Sequence, residues 1–225
     1  MSKLIVRSFL VALIVCSSGV SLFAQKFELN GYGGYVFPHH DSFANFANSP
    51  IWGGKFGVYL TNNLEFEGNF GYITKFNLKT DPNPADGLFG ISRPATRAFL
   101  YDAMLTWNFG SSKALGTTIA PFVTFGAGGL RANVVSRDAV LISGGGFTFD
   151  TAGDVIPNPN PPVILDNGDT FLTLIYGGGV KANKLWGGLG LRSDVRIRTI
   201  PNFFGKTINY VPELTGGINF TWGEP

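Results

Sequence analysis

His39-His40-Asp41 is the densest group of chemically capable side chains in the sequence, and a histidine there could act as a general base. Ser42 or Ser49 could supply the hydroxyl nucleophile, but activation requires base and hydroxyl within mutual reach, and no spacing pairs either serine with either histidine. Solvated loop residues are therefore expected. The two histidines also fall short of a metal site, because they and Cys16 are the only His and Cys residues in the chain. Asp166-Asn167-Gly168-Asp169 has the ligand types that open a calcium loop, yet no glutamate follows at the required spacing, so a turn is predicted. Gly126-Ala127-Gly128-Gly129 and Gly177-Gly178-Gly179 precede neither a Lys-Ser/Thr pair nor a helical pattern, which removes phosphate-loop chemistry. Arg192, Arg196 and Arg198 form a row that could hold an anion; with acids available on the same face, internal packing is the simpler expectation. No catalytic residue, metal or cofactor is assigned.

The elements that carry these residues announce themselves by composition. Charged residues are only 14% of the 225, hydrophobic residues 44%, and Gly (31) and Phe (21) are abundant. Such a mixture suits one β-domain with an apolar surface. A formal charge of +2 offers no electrostatic case for nucleic acid. Residues 1–24 read as a signal peptide, with Lys3 and Arg7 ahead of the apolar Phe9 to Val15 and a cleavage motif ending at Ala24. Val15 before Cys16 argues against a lipoprotein signal, and cleavage after Ala24 would leave residues 25–225 without cysteine, hence without disulfides or thiol chemistry. No later stretch approaches the ~20 apolar residues of a membrane helix.

Alternation with period two dominates residues 25–225. In Leu64 to Ile73, Leu64, Phe66, Phe70 and Tyr72 share one face and Glu65, Glu67 and Asn69 the other, as in a strand. Phe99 to Phe109, Leu189 to Thr199 and Tyr210 to Trp222 repeat the code. Phe27 to Phe37, Trp52 to Leu60, Ile119 to Arg131 and Phe171 to Lys181 are compatible runs blurred by glycines, which are expected where a tightly curved sheet bends. The facing of Ile119 to Arg131 is not assignable from its residues. The links alternate in length. Those at 61–63, 110–118 and 182–186 are short, and those at 38–51, 74–98 and 132–170 are long; 200–206 is intermediate. The longest link, rich in Gly, Pro, Asn and Asp, has turn or disorder chemistry.

Eight runs, even in number and alternately linked by short turns and long loops, predict an all-β fold: an eight-stranded antiparallel up-and-down transmembrane β-barrel. In hydrocarbon such a sheet must close, since every backbone polar group needs a partner. A soluble β-sandwich would leave large aromatic patches in water. The aromatic and aliphatic face then points outward and the polar face inward, Tyr32 being an inward exception. Phe37, Trp52, Tyr72, Trp107, Phe109, Trp186 and Trp222 fall near strand ends, as interfacial girdles require. Glu28, Lys55, Glu65, Glu67, Asp102, Lys181, Arg192, Asp194, Arg196 and Glu213 fall inside. In a barrel only wide enough for its side chains, they are expected to interlock as salt bridges and plug the lumen.

Gly57 to Tyr72, Ala120 to Leu130, Tyr176 to Arg196 and Leu214 to Gly223 resemble the outer-membrane-protein β-barrel domain family, the small OmpA-, OmpX- and OmpW-like barrels. The resemblance covers essentially all of residues 25–225. It implies a bacterial outer-membrane location, lipid and lipopolysaccharide contacts, insertion by the barrel-assembly machinery and a monomer, and says almost nothing of activity. The long links mark the outer side, which puts both termini in the periplasm, and the unpaired histidines and serines predict no enzymatic activity. Two departures stand out: no peptidoglycan-binding domain follows, and the sequence ends Trp222-Gly223-Glu224-Pro225, so that Trp222 is expected to act as the terminal aromatic. A structural or surface-interaction role leads. The rivals are a narrow channel for small solutes and a lipid A-modifying barrel enzyme using His39 or His40.

Overall fold

The computed structural model describes residues 26–38, 46–75, 95–110, 112–114, 117–135, 139–143, 147–149, 155–157, 163–203 and 207–223. Residues 1–24, where a signal peptide was expected, the His39-His40-Asp41 group and Ser42 lie outside them. The described elements are all strands: β1 (Lys26–Val36), β2 (Ser49–Tyr59), β3 (Leu64–Ile73), β4 (Thr96–Asn108), β5 (Ser112–Ala114), β6 (Thr117–Val134), β7 (Ala139–Ser143), β8 (Phe147–Phe149), β9 (Val155–Pro157), β10 (Val163–Asp166), β11 (Thr170–Trp186), β12 (Leu189–Phe203) and β13 (Thr207–Gly223).

Eight of them close a ring in the order β1-β2-β3-β4-β6-β11-β12-β13 and back to β1, every pair antiparallel. Each predicted run forms one barrel strand. Closure comes from β1 against β13, which are registered from Lys26 opposite Gly223 to Val36 opposite Glu213. No edge of the ring is left unpaired, the condition a sheet in hydrocarbon must meet.

One end of the barrel carries tight connections. Between β2 and β3 the Thr61 hydroxyl accepts the amides of Asn63 and Leu64 at 3.3 and 3.0 Å. Between β4 and β6, β5 folds back on the start of β6, Ser112 opposite Ile119. Between β11 and β12 the turn is Gly187-Gly188, and Gly187 has φ 63°, which glycine adopts without steric cost. The predicted link at 182–186 is thus wrong: those residues continue β11, with a bulge between Ala182 and Trp186 that obscured the alternation.

The other end carries the long connections, and there too the structure departs from expectation. Within the 132–170 link, β7 pairs with β10, and β8 with β9 inside them, so the segment holds two nested ladders where turn or disorder was expected. β7 and β10 pair from Val163 opposite Ser143 to Asp166 opposite Ala139, with a register shift between Val163 and Ile164. Asp166-Asn167-Gly168-Asp169 is a turn: Asp169 N donates to Asp166 O at 3.1 Å, and Asn167 Oδ1 accepts Val134 N at 3.2 Å. The 200–206 link shrinks to three residues, because β12 reaches Phe203 and β13 starts at Thr207.

The ring divides its side chains as alternation demands. On β4, Thr96, Ala98, Leu100, Asp102, Met104, Thr106 and Asn108 all point into the barrel and are buried. Burial also settles the facing of β6, with Phe122, Thr124, Leu130, Ala132 and Val134 inside and Val123 and Phe125 outside. Phe125 (60%), Leu172 (64%), Val195 (60%) and Ile218 (61%) are large apolar residues more than half exposed around the outer wall. A water-soluble protein rarely presents so continuous an apolar surface. Of the expected girdle residues, Trp222 lies near the tight-turn end, where it clusters with Phe27, Phe56 and Phe220, with ring centroids 5.6 to 6.4 Å apart. At the opposite end Tyr72 and Phe99 meet at 5.0 Å, and Tyr35 and Phe37 at 6.4 Å.

Candidate functional site

Glu28, Lys55, Glu65, Glu67, Asp102, Lys181, Arg192, Asp194, Arg196 and Glu213 all project into the lumen and are buried there. Arg198, whose side alternation also assigns, joins them although it was left out of the expected set. Among the described residues the lumen therefore holds six carboxylates (Glu28, Glu65, Glu67, Asp102, Asp194, Glu213) and five cations (Lys55, Lys181, Arg192, Arg196, Arg198). Lys26, half-buried at the tight-turn mouth with Nζ 4.1 Å from the Tyr59 ring centroid, brings the charges to parity.

Two centres organise these groups. At the first, Lys181 and Arg192 are directly opposite each other on β11 and β12, a like-charge pairing that is destabilising by itself. Carboxylates from the far wall resolve it. Lys181 Nζ lies 3.0 Å from Glu28 Oε2, 2.6 Å from Glu65 Oε2 and 3.6 Å from Glu67 Oε1. Arg192 reaches Glu28 at 3.1 Å, Glu67 at 2.8 and 3.0 Å, and Asp194 at 3.0 Å. Glu28 and Glu67 thus bridge both cations, and Lys55 meets Asp194 at 2.8 Å. At the second centre Arg198 grips both oxygens of Asp102 at 2.7 and 2.9 Å and reaches Glu213 at 2.7 Å. Glu213 is the cross-strand neighbour of Arg196, which it meets at 3.0 Å. The bidentate Arg198–Asp102 pair is the geometry in which buried ion pairs best offset their desolvation.

Neutral groups complete both centres. Tyr59 OH donates to Glu28 Oε2 at 3.1 Å, Asn69 Nδ2 to Asp102 Oδ2 at 2.6 Å, and Tyr32 OH to Asn69 Oδ1 at 2.9 Å. Tyr32 is thereby the inward aromatic that its register indicated. Sequence reasoning missed Tyr59 and Asn69 as partners, although their parity with Lys55 and Glu67 was visible.

The glycines that blurred four runs belong to the same construction. Glu67 stands opposite Gly57, Asp102 opposite Gly128, Arg196 opposite Gly177, Asp194 opposite Gly179, and Arg192 opposite Gly217. A methyl group at Gly128 would collide with Asp102, and one at Gly177 would come within 3.1 Å of the Arg196 Cγ and closer still to neighbouring backbone. In a lumen this narrow, each of these five charged side chains is accommodated by an absent one next door.

An all-polar lumen does not hold along the whole axis. Toward the long-link end Val36, Ile51, Ile73, Leu100, Leu130, Ile200 and Val211 point inward and form one apolar cluster with Phe46 and Leu165. Phe46 and Leu165 come from the first and third long links, so these two residues pack on the apolar layer at that mouth. At the tight-turn end a polar recess of about 110 Å3 is bordered by Lys26, Tyr59, Asn63, Asn108 and Asn183. The Ser49 hydroxyl, a nucleophile candidate by residue type, donates to the carbonyls of Ala47 and Lys75 at the start of β2. Among the described residues no group of three or more His, Cys, Asp or Glu is arranged to hold a metal.

A closed eight-stranded antiparallel ring with an apolar outer wall and an ion-paired interior defines the class of small outer-membrane β-barrels, and this chain has that fold. Similar structures agree. Neisserial surface protein A superposes with a TM-score of 0.51 at 14% identity, over 87% of this chain and 95% of the other. The outer membrane protein OprG from Pseudomonas aeruginosa superposes with a TM-score of 0.51 at 10% identity, over 89% and 97%. No family model and no curated protein matches the sequence.

Proposed function

We propose that this chain is an integral bacterial outer-membrane protein that does no chemistry and conducts no solute, a sealed barrel with a structural or surface-interaction role. The long links face outward, both termini face the periplasm, and the protein works as a monomer after delivery by the barrel-assembly machinery. Lipids and lipopolysaccharide are its surroundings. One observation carries the reading: among the described residues, buried side chains occupy both parts of the lumen, ion-paired in the lower part and apolar, joined by Phe46 and Leu165, above. A solute path would have to separate paired charges and displace those apolar side chains. Fractionation of cells with a heat-dependent gel shift tests the location, and the expected result is a folded, heat-modifiable band in the outer membrane. Absence from that fraction overturns the reading. Unchanged lipid A mass spectra in a deletion strain are expected of a barrel without chemistry; a missing modification would assign it one.

A further inference from the structure

The outer wall is not evenly apolar. Along β3, β4 and β6 the outward positions Gly68, Ala103 and Ala127 lie side by side in register, Gly68 opposite Ala103 and Ala103 opposite Ala127. Larger side chains, Phe56, Phe70 and Tyr101, stand around them and leave a depression of about 660 Å3 in the wall. Toward the long-link end of the same strands, the outward positions pass the Tyr72–Phe99 aromatic pair and reach Arg97 and Arg131, both exposed. Arg131 is opposite Phe99 and Arg97 opposite Asn133, so the two arginines are diagonal neighbours on adjacent strands, within reach of one headgroup for side chains this long, and the Arg131 guanidinium stands beside Gly168. Lys75, exposed just past β3, adds a third cation at nearly the same level, since Ile73 is opposite Ala98. Among the described residues neither arginine ion-pairs with a carboxylate. Asp169, the nearby acid in the turn against Arg131, uses its carboxylate on the Asp166 amide at 2.9 Å.

Cations beyond an aromatic girdle face the headgroup layer, and paired arginines match phosphate oxygens. From Arg97 to Ala103 is six residues, about 20 Å along the strand and about 15 Å along the axis at a tilt of ~40°. That is half of a ~30 Å hydrocarbon core, the depth at which an acyl chain of one leaflet ends. We propose that the β3–β4–β6 face holds one phosphorylated outer-leaflet lipid, its phosphate on Arg97 and Arg131 and an acyl chain in the depression below. The proposal rests on the outer-membrane reading and adds a specific occupant to it.

The test uses the full barrel refolded in phosphatidylcholine bicelles and titrated with bis-phosphorylated lipid A or its dephosphorylated form, with binding read by native mass spectrometry. A basic side chain at a membrane surface is worth about fivefold, so R97A/R131A weakens phosphorylated lipid A about thirtyfold, to the level of the dephosphorylated form. R97K/R131K retains most of the binding. Gly68→Leu, whose Cβ would meet only the Phe56 carbonyl at 4.0 Å, fills the depression and weakens both forms alike. Inorganic phosphate does not compete. Equal binding of the two lipid forms, unchanged binding by R97A/R131A or by Gly68→Leu, or full competition by inorganic phosphate or a sulfated polysaccharide through the same arginines overturns the proposal. A heat-dependent gel shift kept by every variant shows that the barrel is intact. Fractionation separately reports on the outer-membrane reading, so the two failures are distinguishable.

Discussion

Lys181 holds its ammonium among Glu28, Glu65 and Glu67, with no water-exposed surface of its own. Removing it strands Glu65, whose cationic partner it is, and leaves Glu28 and Glu67 to share Arg192 alone, which costs more than the pair gains over an apolar substitute. Lys181→Met should therefore destabilise the folded barrel by roughly 3–5 kcal/mol, read as a lower denaturation midpoint in a urea titration in vesicles. Arg198→Met should do likewise through Asp102 and Glu213. A midpoint unchanged in both would mean that these charges are not compensating one another. At this scale much was legible. Alternation assigned ten lumenal charges because a charge on the wrong face of such a strand would sit in hydrocarbon. It could not name partners, since Glu28 and Lys181 lie 153 residues apart and meet only across the closed ring.

Whole strands were legible within a different limit. The eight runs were readable where polar and apolar residues alternate, as in β3, and weak where glycine replaces the inward polar residue, as in β6 and β11. Those glycines are informative once the register is known: Gly128 and Gly177 give up their side chains to Asp102 and Arg196. Gly128→Val is expected to abolish the heat-modifiable band, because the added atoms meet both the Asp102 side chain and the Tyr101 carbonyl. The apolar lumenal layer was invisible for another reason. Ile51, Ile73 and Leu100 are as acceptable to lipid as to a dry interior, so type alone cannot report their side. The outer wall is more decisive. Phe125, exposed near the middle of β6, should tolerate Leu but lose roughly 2–4 kcal/mol when replaced by Arg, measured by the same urea titration. Equal stability of the two variants would place that wall in water.

For the whole molecule, the two halves of the lumen close it by different physics. The lower half relies on charges that hold each other at 2.6 to 3.6 Å, and the upper half on an apolar layer that Phe46 and Leu165 join. Either alone would impede ions; among the described residues a polar recess of about 110 Å3 remains at the tight-turn mouth. Planar-bilayer recording of purified protein, shown to be folded by its heat-dependent gel shift, measures this directly. A sealed barrel predicts no stable conductance above the bare membrane, and reproducible, large, long-lived current steps would contradict it.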